Sequence, residues 1–399
     1  MKKFWQNYKS TILLLAGVII GGLLGFYCPA VVPWLKPVGD IFLNLMFVLI
    51  VPMVFLSMAS SICTLHKGNM VGNVLGKSLI YFVVVAIITA LLTYWGCRIY
   101  LPLDISSDFS HFANREVQDI GALISGALTV SDFWMLLDKQ HLLPLIVMAI
   151  LTGFAVAKSG EKGERMAEWI YSANAVVMQL VKMIMVVAPI GLGCYFAVVM
   201  SQMGGQLVSG YARTVALCLV LTSILYFILN PLIILLLHGK AHLKAYFTHL
   251  LPPSVMAIAT CSSSATMPVS IESTKQMGVD ERIADAVIPL GSNLFKQGSI
   301  MTGTIKVVFA MLLSGMALQG PTAWLTIMLV AIVAACVVSA VPSGAMTGEL
   351  FICAMLGVDP QIVGMLVVIA TLLDMPGTLL NATGNVTAAA AIGMKKDNK

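Results

Sequence analysis

The chain has 399 residues, is 59% hydrophobic and carries charge on only 10% of its positions. A soluble protein of that size cannot hide so much apolar surface, so the composition excludes a soluble globular domain. The net charge of +5 comes from Lys and Arg scattered over short loops and tails. They form no basic face for a nucleic acid.

Several apolar runs reach the roughly 20 residues that cross a bilayer as a helix. The pattern predicts a polytopic, all-α membrane protein. The basic start, Met1 to Ser10, leads into an apolar run from Thr11 to about Phe26. No polar cleavage region follows, so this reads as a retained first helix. Hydropathy then places helices over 11–30, 41–62, 77–100, 141–157, 170–203 and 212–238. Section 101–140 is more polar, with Asp104, Asp108, Glu116 and Asp119. The N-terminus, Lys67, Lys77, Lys158–Arg165, His238–Phe247 and the tail Lys395–Lys399 form one basic set. Basic loops stay cytoplasmic, so both termini are expected there.

The second half is built differently. Residues 246–278 hold two apolar arms of about 10–15 residues, too short to span. A polar knot, Thr260–Thr266, separates them, and Lys244 and Lys275 flank them. This predicts a re-entrant hairpin whose Ser-rich tip lies at membrane depth, buried or lining a cavity. Residues 283–315 read as one long apolar helix with Lys296 and Gln297 near its middle. Residues 322–357 give two arms broken at Ala340–Gly348. They form either a second hairpin, entering from outside, or an ordinary span followed by a short arm. The last helix covers about 361–394. A hairpin followed by a broken helix thus occurs twice with opposite entry sides, the pattern of an inverted repeat with a substrate site at the midplane.

Three elements carry candidate chemistry. At the first hairpin tip stand Ser262, Ser263 and Ser264. A half-helix starting there offers free backbone N–H groups and hydroxyls to a carboxylate. Asp374 lies deep in the last helix, where an isolated carboxylate needs a cationic partner. Thr378 and Asn381 follow at one and two helical turns on about the same face. Asp374 suits a substrate ammonium and Asn381 a carboxylate, together an α-amino acid. The alternative is an internal ion pair of Asp374 with Lys296. A lysine stem cannot snorkel from mid-membrane, and a central Lys costs about 3 kcal/mol. Lys296 must therefore face a polar cavity or a counter-charge. Lys306, nearer the outer end, suits a structural or interfacial role.

The eight Cys are widely spaced, with no C-x-x-C pair, and read as small buried residues. The six His sit mainly near segment ends, and none is assigned a metal. No nucleophile–base pair, metal cluster or phosphate loop points to an enzyme or a cofactor.

Taken in order, Leu49–Ile62, Ala188–Met200, Cys261–Glu272, Val341–Ala345 and Leu372–Asn385 match one known pattern. The chain resembles the glutamate transporter family, the dicarboxylate/amino acid:cation symporters, over essentially its whole length. The resemblance implies eight transmembrane helices plus two re-entrant helical hairpins, a homotrimer in the lipid bilayer, and elevator movement of a transport domain past a static scaffold. It assigns 1–76 to scaffold helices 1 and 2, 77–100 to transport-domain helix 3, and 101–140 to an external polar loop. It assigns 141–203 to scaffold helices 4 and 5, 212–238 to transport-domain helix 6, and 245–399 to the transport core. A bacterial cytoplasmic membrane fits the loop charges. The resemblance puts Ser263 and Asn381 on the substrate carboxylate, Asp374 on its amino group, Thr378 in the pocket, and Pro342 and Gly344 at the second tip.

The departures matter as much. Where the family carries Asn-Met-Asp-Gly-Thr, this chain has Phe295-Lys296-Gln297-Gly298-Ser299. The Asp expected after Gly384 is Asn385, and an approximate alignment puts Phe82, Val85 and Ala86 where Tyr, Thr and Ser surround a sodium. Hard cations need oxygen ligands, so at least two sodium sites should be missing. Lys296 then reads as a built-in cation, with proton coupling and plain exchange both open. The pocket Arg of acidic-substrate members falls on Gly377 or Cys261, which favours a neutral amino acid. Should Lys296 reach the pocket, an acidic amino acid or C4-dicarboxylate returns. An anion-conducting channel and a non-transporting sensor of the same fold are the readings from other classes.

Overall fold

The computed structural model describes residues 2–67, 72–103, 129–138, 141–203, 205–339, 347–359 and 362–394. Apolar runs punctuated by Pro and Gly set the element order. Helix α1 is Lys2–Tyr27, and Pro29 opens a short 3-10 turn, Pro29–Val31, into α2, Val32–Lys67. There follow α3, Gly72–Ile99; α4, Leu142–Lys158; α5, Glu161–Met185; and α6, Ala188–Met203. No strand occurs among the described residues; one isolated bridge joins Val279 to Met394.

Helix α1 packs on α6 and α2 on α4, α5 and α6. Along α1, Gly17, Gly21 and Gly25 recur every four residues. A Cβ on any of them would collide with backbone at Pro189, Gly193 or Ala197 of α6. The two backbones therefore touch, as small residues allow between membrane helices. Gly21→Val is expected to force α1 off α6 and cost about 1–3 kcal/mol. The check is the yield and thermal stability of the purified variant beside wild type; full stability would refute the contact.

Three expected helices are interrupted, one of them, over 283–315, at the candidate site. The run 170–203 is not one helix: it divides into α5 and α6, bent by 60°. Pro189 falls in the first turn of α6, where its missing N–H removes a bond back to α5. The run 212–238 is α7, Gly205–Ile224, a π-helical turn, Leu225–Leu229, and α8, Asn230–His238. Pro231 cannot donate to the preceding turn, and a wider π turn accommodates the lost bond.

The remaining elements are α9, Ala241–Thr260; α10, Ser263–Gln276; α11, Glu281–Leu294; α12, Gln297–Leu313; α13, Pro321–Ser339; α14, Thr347–Leu356; and α15, Ile362–Gly393. Helices α12 and α15 pack on each other and form the centre. Almost every residue of α12 is buried, as is most of α15. Around them lie α3, α7, α8, α9, α10, α11, α13 and α14.

Among the described residues four helical spans are long and apolar enough to cross a membrane: Pro29–Ser60, Gly76–Ile99, Ser209–His238 and Ile362–Gly393. Shorter apolar helices include Ala16–Tyr27, Pro144–Lys158 and Pro321–Cys336. Trp34, Val48, Ile80, Trp95, Phe227 and Leu236 stand exposed on their outer faces. In water such a surface would be a liability, whereas lipid covers it.

Candidate functional site

The long helix expected over 283–315 is broken at its middle. Phe295 (φ −134°, ψ 115°) and Lys296 (φ −126°, ψ 91°) are extended, ending α11 and starting α12. Lys296 is thus the N-cap of α12, and an ammonium has no acceptor to offer the free N–H groups there. Asn381 of α15 supplies it instead. Its Oδ1 accepts from the Ser299 backbone N–H at 3.0 Å, and its Nδ2 donates to Ser299 Oγ at 3.2 Å. Gly298 makes the approach feasible, since a Cβ there would collide with the Gly377 carbonyl.

The break also directs its two flanking side chains. Phe295 stacks on Phe82 of α3, with centroids 4.9 Å apart and rings 11° from parallel. Val85 and Ala86 belong to the same buried cluster. Two positions singled out separately in the sequence therefore fill one another's space. Gln297 is fully buried and pairs reciprocally with Asn230. Asn230 Nδ2 donates to Gln297 Oε1 at 3.1 Å, and Gln297 Nε2 donates to Asn230 Oδ1 at 3.0 Å. Gln297 Nε2 also reaches Thr89 Oγ1 at 3.4 Å. The π turn of Leu225–Leu229 directly precedes Asn230. Asn385 Nδ2 donates to Ser292 Oγ at 3.2 Å, while its Oδ1 is buried without a hydrogen-bond partner among the described residues.

Asp374 is exposed at the surface of the single chain, and Thr378 Oγ1 donates to its Oδ1 at 3.5 Å. Lys296 is half-buried and makes no ion pair among the described residues. Asp374 acts on it through space. The internal ion pair weighed as an alternative is therefore absent at contact distance, although the two charges still sense one another.

At the first hairpin tip Cys261 is left-handed (φ 47°), so the chain reverses between α9 and α10. Ser262 caps α10, its Oγ accepting from Ala265 N–H at 3.2 Å. Ser263 opens α10 half-buried, and Ser264 is exposed. Both α9 and α10 pack against α15, the helix that carries Asp374, Thr378 and Asn381. No hydrogen bond links the serines to those three among the described residues. Pro342 and Gly344 lie outside the described residues.

Of the structural and interfacial roles open to Lys306, its surroundings favour the structural one. The lysine is buried and paired with Glu349 of α14, because an ammonium in an apolar core requires a counter-charge. Glu349, Asn230, Thr89 and Ser292 were not singled out in the sequence. Glu349 was the readable one, as a carboxylate inside the apolar arm that follows Ala340–Gly348. None of the eight cysteines forms a disulfide. Among the described residues no group of three His, Cys, Asp or Glu could hold a metal ion.

A family model described as the sodium:dicarboxylate symporter family matches residues 11–394. The chain belongs to the sodium:dicarboxylate symporter family. It is 24% identical over 403 residues to a proton/sodium-glutamate symport protein of Bacillus subtilis (strain 168), covering 98% of this chain and 92% of that one. It is 25% identical over 396 residues to a proton/glutamate-aspartate symporter of the same organism, covering 95% and 93%. It is 25% identical over 308 residues to a C4-dicarboxylate transport protein of Brucella anthropi, covering 75% and 69%. Membership in this transporter family, with the apolar helices, makes the chain an integral membrane protein.

Proposed function

We propose that this family member is a sodium-independent secondary transporter of amino acids, with neutral substrates favoured and Lys296 in place of a bound cation. The observation that carries the reading is the Phe82–Phe295 stack. Two facing rings offer no oxygen to a hard cation. The neighbouring polar groups are an amide paired to an amide, Gln297 with Asn230, which needs no ion to satisfy it.

Substrate binding follows from the ends of helices and from α15. The start of α10 at Ser263 and Ser264 supplies N–H groups and hydroxyls to an α-carboxylate. Asp374, open at the surface and backed by Thr378, takes the ammonium. Asn381 acts through Ser299, holding the start of α12 and hence Lys296. The helices around α12 and α15 move as the transport domain past α1, α2, α4, α5 and α6, the elevator motion, within a homotrimer in a bacterial inner membrane. Both termini are cytoplasmic, which the basic loops support.

A second reading rests on the Lys296 ammonium itself. It has no contact partner among the described residues, so it can take the side-chain carboxylate of an acidic amino acid or dicarboxylate. The similar proteins named for glutamate and C4-dicarboxylates favour it. Counterflow in proteoliposomes, with labelled neutral and acidic amino acids and succinate, separates the two. Exchange of neutral amino acids alone supports the first, exchange of acidic substrates the second, and exchange of neither class contradicts both.

Gly377 gives a sharper test. It sits one turn beyond Asp374, and a Cβ there would meet Thr302 Cγ2 at an ordinary 3.4 Å. Gly377→Arg is expected to raise the preference for acidic over neutral substrates about 10- to 100-fold, as a charge-assisted bond of about 1.5–3 kcal/mol allows. The ratio of kcat/KM for aspartate and alanine measures it. An unchanged ratio would place the pocket elsewhere.

A further inference from the structure

A buried ion pair lies outside the substrate-facing groups. Lys306 on α12 is 7% exposed and Glu349, in the first turn of α14, is 1% exposed. Glu349 Oε1 holds the Lys306 ammonium, while Glu349 Oε2 is buried with no hydrogen-bond partner among the described residues. A purely structural pair should satisfy both oxygens, because an orphaned buried acceptor costs about 1–3 kcal/mol. Apolar residues in its place would be neutral or stabilising. The unsatisfied oxygen is where a proton would sit.

The surroundings allow that proton. Helix α15 brings Asp374, which senses Glu349, Lys306 and Lys296 together. Cys353, one turn along α14, is the other titratable group that senses Glu349. Helices α13, α2 and α4 also pack against α14. The described part of α13 carries no charge; α2 carries Lys36, Asp40 and Lys67, and α4 carries Lys158, but the charged group in contact with Glu349 is Lys306.

We propose that Glu349 is the proton-carrying group of the transport cycle. It takes a proton from the outer solution as its carboxylate becomes a carboxyl, and its ion pair with Lys306 breaks. It then returns the proton to the inner solution and re-forms the pair. The ion pair ties α14 to α12, the helix that starts at Lys296. Protonation therefore changes how firmly α14 is held against the substrate-bearing core. This inference rests on the transport reading above.

The test uses full-length protein in sodium-free proteoliposomes. Wild type under an outward-acid gradient of one pH unit is expected to accumulate substrate about tenfold, one proton per molecule. Glu349→Gln, which mimics the protonated carboxyl, is expected to continue counterflow exchange but to accumulate nothing and to show no pH dependence. Gradient-driven accumulation by Glu349→Gln at the wild-type level would overturn the proposal, as would its absence in wild type.

Infrared difference spectra provide a second readout that needs no transport. A protonated-carboxyl band should grow in wild type as the pH falls and be absent from Lys306→Met/Glu349→Gln. A band that survives in the double variant, or none in wild type, would overturn the assignment. Failure of wild type to exchange any substrate would count instead against the transport reading, leaving the spectra to judge Glu349.

Discussion

Lys296→Met is expected to lower sodium-free substrate uptake about 10- to 100-fold, the loss of one charge-assisted contact worth about 1.5–3 kcal/mol. The residue stands at the extended break between α11 and α12 with no ion pair among the described residues, and it senses Asp374. Methionine keeps the length and removes the charge. It also relieves an ammonium at a helix N-terminus, where the dipole disfavours a cation. A merely structural lysine should thus be replaceable with little loss, even with some gain in stability. Uptake in proteoliposomes, with thermal stability measured on the same preparation, separates the two. Lost uptake at unchanged stability supports the built-in cation; unchanged uptake contradicts it.

Lys306→Met should behave in the opposite way. It leaves Glu349 buried, ionisable and unpaired, at a cost of about 3–5 kcal/mol. Lys306→Met/Glu349→Gln removes both charges, so most of that loss should be recovered. A denaturant or thermal series on the four proteins closes the double-mutant cycle. Additive losses would show that the pair is not coupled. The contrast with Lys296 is informative, because the two lysines lie on the same helix ten residues apart in sequence.

Much of the architecture was legible because membrane helices leave a blunt signal. Lipid tolerates no unpaired backbone, so long apolar runs and short paired arms were readable by length alone. What hid was local. Pro189 and Pro231 each sit near an interruption, yet a proline inside an apolar run does not say whether the helix bends, as at α5–α6, or widens to a π turn, as before Asn230. The break at Phe295 was less visible still, because no proline stands there. It depends on Asn381, 82 residues away from Ser299, capping α12 from outside.

The site was legible in its charges and opaque in its amides. Asp374 and Lys296 declare themselves because charge in lipid is expensive. Asn381 reads from the sequence as a donor to a substrate carboxylate, and only tertiary contact shows its bonds to Ser299. Phe82 and Phe295 each looked like a lost ligand. That they stack on one another could not be read from either position alone. Glu349 was missed because its arm was judged by hydropathy and not by where its carboxylate would find a partner.

In the proposed cycle transport proceeds without sodium because protein groups occupy the place of the ion. The most direct test is initial uptake by the wild-type protein in proteoliposomes with all sodium replaced by choline, at fixed pH and zero membrane potential. The account predicts the same rate in choline as in sodium. A strict requirement for sodium would contradict it and would put a cation site on backbone carbonyls, away from the Phe82–Phe295 stack.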